Sequence, residues 1–317
     1  MKKLLLKTTL YAFLIVIGLE ILVRIFYLGK DMPHRYVDDQ KVEKWLPGQN
    51  GFSITGNRRQ NFSEYRINDF GFNSYHEYKP TKDKIEIALV GDSFIEGFHQ
   101  HYYNSIGKKV EDKLKDVQVY EYGYAGYDFA DQLHLINAYK DHFDLIDYVI
   151  IDIKFSTDLS RDNYNVVKDR MRLERPFYKI LKKSKLIIYL QSIGVFDPFK
   201  DFIFSSKKSD DEKGNKETIE DLDKKDNIRL ENFKKLVFLY GYDKSRFIFL
   251  LDSNNTSILF LNYLKENNFN YIDVGPTLKQ SDKSTTLIYD MHWNNRGRSL
   301  VADLIVQYFE HNNLKFE

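Results

Sequence analysis

The chain has 317 residues, and 43% of them are hydrophobic, which is enough for a sizeable folded core. Its 47 basic and 46 acidic residues leave a net charge of +1, so nucleic acid is not expected as a partner. There is no cysteine, which excludes a disulfide framework and thiolate catalysis but leaves the compartment open.

Three lysines, Lys2, Lys3 and Lys7, precede a mostly apolar stretch from Leu10 to Leu28. About 20 helical residues span the ~30 Å hydrocarbon core of a bilayer, so residues 1–30 are predicted to form a membrane anchor. Glu20 and Arg24 interrupt the stretch at a spacing that lets them pair on one helix face. No small-residue cleavage site follows, and the early lysines favour a cytoplasmic N-terminus with the remaining chain exported. The alternative is an amphipathic helix buried in the globular domain.

Residues 31–80 are predicted to form an irregular lead-in segment. From residue 81 to 317, apolar β-rich runs alternate with segments of helical spacing, which indicates one domain with a parallel sheet covered on both faces. The strands are predicted at 85–92, 117–123, 147–155, 246–252 and 270–275, and the helices near 104–115, 128–142, 228–240, 256–268 and 295–310.

An insertion at about 160–228 separates the third strand from the fourth and is a candidate lid. Its basic, amphipathic part at 174–204 is predicted to pack against the domain, with contact to a membrane surface as the alternative. The charge run at 205–227 is predicted to be a solvated loop or a disordered excursion.

The first strand ends in Gly91-Asp92-Ser93-Phe94. In an open parallel sheet, ligands bind beyond the carboxyl ends of the strands, so a serine at this turn can point its hydroxyl into the crevice. Its own N–H, near a helix N-terminus, can help to hold an oxyanion. The alternative is an Asp-Ser turn that only caps a helix.

Two further segments lie at a strand end and before the last helix. The second strand runs into a turn with Gly123 and Gly126, where a ligand can approach the backbone closely. In "YDMHWNN", Asp290 can orient His292, which in turn can take a proton from Ser93. The alternative is a structural histidine beside a turn aspartate. In either case, Asn294 or its neighbour is expected to cap the last helix.

In their order and placement these segments resemble the SGNH hydrolases, the GDSL-type esterases and lipases, over roughly residues 65–312. The resemblance implies a three-layer, flavodoxin-like α/β sandwich around a five-stranded parallel sheet, and ester hydrolysis or acyl transfer with no cofactor and no metal. It makes Ser93 the nucleophile, His292 the base and Asp290 its partner. Ser93 and Gly126 would supply backbone N–H groups to the oxyanion hole.

The third block departs from the SGNH pattern, because Thr157 stands where an asparagine normally donates to the oxyanion. A threonine hydroxyl donates one hydrogen bond but is shorter than an amide, and losing one oxyanion donor costs on the order of 10²–10³ in turnover. Asn163 is an alternative donor. Candidate substrate-binding residues are Asp92, Tyr127, Asp158 and Trp293, while His99 and His101 are candidates for the acyl or leaving-group pocket.

The predicted function is that of a serine esterase that removes O-acetyl or other short acyl groups from cell-surface or exported polysaccharide. Its partners would be an acylated carbohydrate or another ester, and the membrane through the N-terminal helix. An O-acyltransferase that uses the same triad and a catalytically degenerate binding or assembly protein are the alternatives.

Overall fold

The structure is a computed structural model that describes residues 1–56, 59–81, 83–197 and 219–312. It begins with a helix, α1 (Lys2–Ile25), which is long and apolar enough to be a membrane span or a signal sequence. Val23 is its one buried residue, so α1 is not the buried core helix that the sequence left as an alternative. The predicted pair forms, because Arg24 Nε donates to the Glu20 carboxylate at 2.8 Å.

The lead-in segment contains more regular structure than its polar sequence predicts. Strands β1 (Arg35–Val37) and β2 (Glu43–Trp45) form one antiparallel pair, and β3 (Asn50–Thr55) and β4 (Asn61–Arg66) form another. These strands lie at least partly against other parts of the chain on both faces, so they lack the clean alternation of polar and apolar residues that marks a half-buried strand. The division into anchor, lead-in and catalytic domain stays a prediction.

The centre of the domain is the predicted five-stranded parallel sheet. Its strands, all close to the predicted positions, are β5 (Ile85–Gly91), β6 (Val117–Gly123), β7 (Tyr148–Asp152), β8 (Phe247–Leu251) and β9 (Tyr271–Asp273). The spatial order is β6-β5-β7-β8-β9, which is the flavodoxin-like order. The order reverses between β5 and β7, so the crevice beyond their carboxyl ends is the expected ligand site.

Helices cover both faces of this sheet and give the predicted three-layer sandwich. Alternate residues of β5 belong to two separate cores: Ala88 and Val90 to one, Ile87 and Leu89 to the other. In the described residues the helices after α1 are α2 (Ser93–Glu96), α3 (Ile106–Glu111), α4 (Phe129–Ala138), α5 (Lys140–Phe143), α6 (Phe155–Asp158), α7 (Lys168–Met171), α8 (Pro176–Leu181), α9 (Lys185–Ser192), α10 (Ile219–Tyr240), α11 (Ile258–Glu266), α12 (Gly275–Lys279) and α13 (Asn295–His311), with short 3₁₀ turns at Tyr102–Asn104, Arg172–Glu174 and Ser253–Asn255.

Two predictions about the insertion and its surroundings need correction. Strand β7 ends at Asp152 and not at residue 155, because the chain turns into α6, where the Asp158 carboxylate accepts the Lys154 N–H at 2.9 Å. The end of the charge run, 219–227, is helical as the first part of α10, with acidic residues in its first turn that favour a helix start. The remaining part, 205–218, lies outside the described residues.

Candidate active site

The predicted nucleophile lies at the turn between β5 and α2. Asp92 caps the helix by accepting the Phe94 N–H at 2.8 Å, and Ser93 is the first helical residue and half-buried. A Cβ at Gly123, on the neighbouring strand, would lie 2.0 Å from the Glu96 nitrogen, so only glycine lets α2 approach β6 this closely. The cap that the sequence offered as an alternative is therefore present, and it orients the serine at the end of the sheet.

Ser93, His292 and Asp290 form a connected set of side chains. His292 Nε2 lies 2.6 Å from Ser93 Oγ, within the range of a nucleophile–base hydrogen bond. On the other side of the ring, Nδ1 is hydrogen-bonded to Asp290 Oδ1, and the His292 backbone N–H donates to the same oxygen at 3.0 Å. The structure thus brings together the three residues that the sequence places in a triad.

The loop that carries His292 is closed by backbone and side-chain bonds. An isolated antiparallel bridge pairs Thr286 with Trp293, and the Leu287 N–H donates to the His292 carbonyl at 3.0 Å. Asn294 is the predicted cap of α13, since its side chain accepts the Gly297 N–H at 3.0 Å, and its amide also donates to the Thr286 carbonyl. His292 therefore sits in a short hairpin that is joined directly to a helix start.

His99 is a fourth residue of this cluster. Its ring stacks on His292 with centroids 3.9 Å apart and an interplanar angle of 18°. Its Nε2 lies 3.2 Å from Asp290 Oδ2, so the Asp290 carboxylate contacts one histidine through each oxygen. Among the described residues, the buried His99 Nδ1 has no hydrogen-bond partner, which favours the neutral ring with its proton on Nε2.

The surroundings of Asp290 and His99 shift the pKa values of both side chains and so determine their charges at neutral pH. Burial would raise the pKa of Asp290, but hydrogen bonds from the ring and backbone of His292, together with His99, lower it below its ordinary value. Burial, with the nearby His292 as a second cause, lowers the pKa of His99 to about 4. At neutral pH the cluster thus holds an ionised carboxylate and an uncharged His99 beside the His292 ring.

The same three residues, His99, Asp290 and His292, are close enough together to hold a metal ion. The ring nitrogens of His292 are already engaged with Ser93 and Asp290, which is the arrangement of a general base and its orienting carboxylate. The absence of metal and of cofactor stays a prediction.

The predicted oxyanion glycine, Gly126, has a φ of +89° in the turn after β6, a conformation that favours glycine. The turn is fixed on both sides: Arg170 donates to the Gly126 carbonyl, and the Ala125 N–H donates to the buried Glu96 carboxylate at 3.0 Å. In the part of the chain that the structure describes, neither Gly126 nor Ser93 has an acceptor for its backbone N–H. Both N–H groups are thus available to a ligand.

Thr157 does not offer its hydroxyl in the same way. It lies in α6 with its side chain exposed, and its single O–H donates to the Asp158 carboxylate at 2.8 Å. Asp158 is itself buried, which raises its pKa to about 7. Thr157 is therefore satisfied locally, and the site offers two backbone donors and no side-chain donor from this position.

A lysine that the sequence reading missed, Lys154, lies at the reversal point of the sheet. Its ammonium is 2.5 Å from the Asp92 carboxylate and 3.3 Å from that of Asp152, and it lies 4.1 Å from the centre of the Phe94 ring. Burial would lower its pKa, but Asp152 and Asp92 more than offset this and raise it. A polar residue just after an apolar strand was the signal for it in the sequence.

The candidate substrate-binding residues are mostly committed to the fold. Tyr127 is 3% exposed and its hydroxyl donates to the Glu43 carbonyl, so its ring has no free face for a sugar. Asp92 is taken up by the cap and by Lys154, and Asp158 is buried. Trp293 is 7% exposed and packs edge-on against Phe94, where it lines a cavity.

That cavity, of about 700 Å³, lies beyond the carboxyl ends of β7, β8 and β9. Phe94, next to the predicted nucleophile, and Met291, next to the predicted base, both line it. Its remaining lining is mixed, with Lys154 and Asp252 among the charged groups. Because residues adjacent to Ser93 and His292 line it, this cavity is a space in which part of a substrate could lie.

No protein-family model and no curated protein matches the chain. Solved structures similar to it include a lipase/acylhydrolase from Enterococcus faecalis (14% identity, 72% of this chain and 96% of that one, TM-score 0.40). Another is a lipolytic protein of the G-D-S-L family from Veillonella parvula (14%, 71% and 98%, TM-score 0.38). A third is a two-domain esterase active on acetylated mannans (12%, 74% and 51%, TM-score 0.39).

The predicted SGNH-type fold is confirmed by this chain's own topology. The sheet has the flavodoxin-like order, Ser93 follows the first strand of that sheet, and the Asp290–His292 pair precedes the last helix. These are the positions that the resemblance to the SGNH hydrolases assigned.

Proposed function

We propose that the protein is a serine esterase of SGNH type. The observation that carries the proposal is the 2.6 Å contact between Ser93 Oγ and His292 Nε2, with Asp290 bound to the other ring nitrogen. A serine alone at a strand-to-helix turn is ordinary capping chemistry, whereas a serine with an oriented base has the arrangement of an activated nucleophile.

In the proposed reaction, Ser93 Oγ attacks the ester carbonyl carbon while His292 Nε2 takes its proton. The C–O bond to the alcohol then breaks, and the imidazolium returns the proton to the leaving oxygen, which leaves the acyl group on Ser93. Water repeats the sequence, with its proton passing to His292 and then to Ser93, and a carboxylic acid is released. Asp290 holds the ring orientation and stabilises the imidazolium in both halves.

The tetrahedral oxyanion would be held by the backbone N–H groups of Ser93 and Gly126. Both lack an acceptor among the described residues, and the Ser93 N–H lies at the N-terminus of α2. The Thr157 hydroxyl, bound to Asp158, would not take part. Replacing Thr157 with asparagine should supply an additional amide and raise the turnover, because each oxyanion donor is worth on the order of 10²–10³.

The proposed substrate is an O-acetyl or other short acyl ester on cell-surface or exported polysaccharide. The support is the candidate span α1, which would hold the catalytic domain at a membrane with its N-terminus in the cytoplasm and the domain outside. The cavity between Phe94 and Met291 would receive part of that substrate, with no metal and no cofactor needed.

The test is labelling of the full chain with a fluorophosphonate, together with hydrolysis of p-nitrophenyl acetate. The wild type should be labelled and active, and Ser93→Ala should lose both. Ser192→Ala is the matched control, since Ser192 is an exposed serine of α9 that lines neither of the two cavities, and it should keep both. Folded wild-type protein that takes no Ser93-dependent label would contradict an esterase and an acyltransferase alike, and would leave a binding or assembly role.

A labelled protein would then be offered acetylated glycan with and without an acyl acceptor. Release of acetate to water supports the esterase, whereas preferential transfer to the added glycan would show that the O-acyltransferase alternative is correct.

A further inference from the structure

A second cavity, of about 500 Å³, lies at the C-terminal end of α1, far along the chain from the triad residues. Arg24 lines it from the last turn of α1, and four lysines line it from α8, α9 and the turn between them: Lys179, Lys182, Lys183 and Lys185. The lining contains one carboxylate, Asp31, against these five cations. The cavity is therefore strongly electropositive.

Three of the five cations have acidic partners. Arg24 pairs with Glu20 at 2.7 Å, Lys182 pairs with Glu174 at 2.7 Å, and Lys185 pairs with Asp31. The other two, one in α8 and one in the turn after it, are exposed and have no acidic partner within the described residues. They are Lys179 and Lys183. The cavity thus keeps two uncompensated ammonium groups that can receive an anion.

The cavity is held at the end of the candidate span by specific bonds. The Glu20 carboxylate of α1 accepts from the first residues of α9: Ser184 Oγ at 2.8 Å, the Lys185 N–H at 3.0 Å and the Leu186 N–H at 2.9 Å. Arg24 also donates to the Lys183 carbonyl at 2.7 Å. With α1 across a bilayer, these bonds would place the lysines at the level of the lipid headgroups.

Helix α8, which contributes Lys179 to the cavity, also exposes apolar side chains. Phe177 and Ile180 are each 67% exposed and lie three residues apart, on one side of α8. Lys179 lies between them in sequence, and a short helix that combines exposed apolar and basic residues is typical of one that lies in a membrane interface. A partner of this surface would therefore need hydrocarbon to contact the apolar side chains and negative charge to contact the lysines.

We propose that this cavity binds the phosphate of an anionic phospholipid headgroup in the bilayer that α1 crosses. Lys179 and Lys183 contact the phosphate, and Phe177 and Ile180 enter the acyl-chain region beside it. The proposal rests on the placement of α1 in a membrane and not on ester hydrolysis, so a Ser93→Ala protein should bind the lipid as the wild type does.

The test uses the full chain with Ser93→Ala, so that the lipid esters are not hydrolysed, in a nonionic detergent. Calorimetric titration with dihexanoyl phosphatidylglycerol should show saturable binding, and the same titration with dihexanoyl phosphatidylcholine should show binding at least about tenfold weaker. Each basic residue near an anionic lipid headgroup contributes favourably to binding, so Lys179→Glu with Lys183→Glu should weaken phosphatidylglycerol binding by about tenfold or more.

The matched control is Lys115→Glu with Lys265→Glu, which makes the same change in net charge at two exposed positions outside the cavity. Equal loss in this control would show general charge attraction and overturn the proposal. Equal binding of the two lipids would overturn it as well. Inorganic phosphate that binds as tightly as the lipid would show a site for soluble anions instead. If the double glutamate variant does not fold, Lys179→Gln with Lys183→Gln serves in its place.

Discussion

Replacing His99 with phenylalanine should remove an acid-sensitive contribution to the stability of the fold. The substitution keeps a flat ring against His292, where the two rings now stack at 3.9 Å, but it removes the nitrogen that lies 3.2 Å from Asp290. Burial lowers the pKa of His99 to about 4, so the ring is neutral in the folded protein at pH 7 and at pH 5.

The magnitude follows from the difference between the folded and unfolded states. In the unfolded chain a histidine has a pKa of ~6.5, so as the pH falls the unfolded state binds this proton first and gains stability relative to the folded state. The contribution of His99 to the free energy of unfolding is complete above the pKa that the histidine has in the unfolded chain. It is lost as the pH falls towards the folded-state pKa of about 4. Between pH 7 and pH 5, His99 alone should cost the wild type about 2 kcal/mol of the free energy of unfolding.

The assay is urea unfolding at the two pH values, followed by tryptophan fluorescence in a nonionic detergent. His99→Phe should lose about 2 kcal/mol less than the wild type on acidification. His142, whose pKa burial also lowers to about 4, titrates in both proteins and cancels. The control is Tyr103→Phe, an exposed aromatic substitution outside the His99–Asp290–His292 cluster that keeps every histidine, and its loss on acidification should equal that of the wild type. An equal acid loss in His99→Phe and the wild type would refute the reasoning.

Three further outcomes are expected. Gly123→Ala should lower the free energy of unfolding by about 1–3 kcal/mol or more, and with it the unfolding temperature, because the new Cβ would lie 2.0 Å from the Glu96 nitrogen. A wild-type midpoint would contradict the packing of α2. Thr157→Val should keep ester turnover within about threefold, since a true oxyanion donor costs on the order of 10²–10³, and a hundredfold loss would show that its hydroxyl is used. Lys154→Met should destabilise by about 3–5 kcal/mol in thermal unfolding, because it leaves buried carboxylates unpaired. Adding Asp152→Asn should recover part of that loss, and no recovery would argue against the ion pair.

The sequence predicts the central sheet well, because its strands are buried on both faces and read as unbroken apolar runs. Val149, Ile150 and Ile151 are a case in point, as all three are nearly inaccessible. The boundary at Asp152 was harder to place, since Ile153 and Phe155 continue the apolar pattern although the chain has already turned into α6. A local bond to the Asp158 carboxylate decides that turn, and hydrophobic periodicity does not report such bonds.

The members of the proposed triad could be singled out from the sequence because each lies next to a strong boundary signal. Ser93 follows an apolar strand, and His292 comes two residues before a helix cap. Lys154 was given no role, and His99 was predicted only to line the acyl or leaving-group pocket, since their partners Asp92 and Asp290 are distant in sequence and the contacts depend on how the loops fold. Tyr127 was predicted as a substrate-binding residue although its ring is buried. The sequence pattern of an aromatic residue beside a glycine turn does not show whether the ring faces solvent or the core.

The hairpin that carries His292 has a consequence for how the chain matures. Ser93 comes just after the first strand of the sheet, whereas the bridge between Thr286 and Trp293 forms near the end of the chain. The 2.6 Å contact between Ser93 and His292 therefore exists only once the last helix has docked against a sheet whose first strand was made much earlier. A covalent label on Ser93 would count molecules in which this hairpin has formed and docked, and chains truncated before it would stay unlabelled.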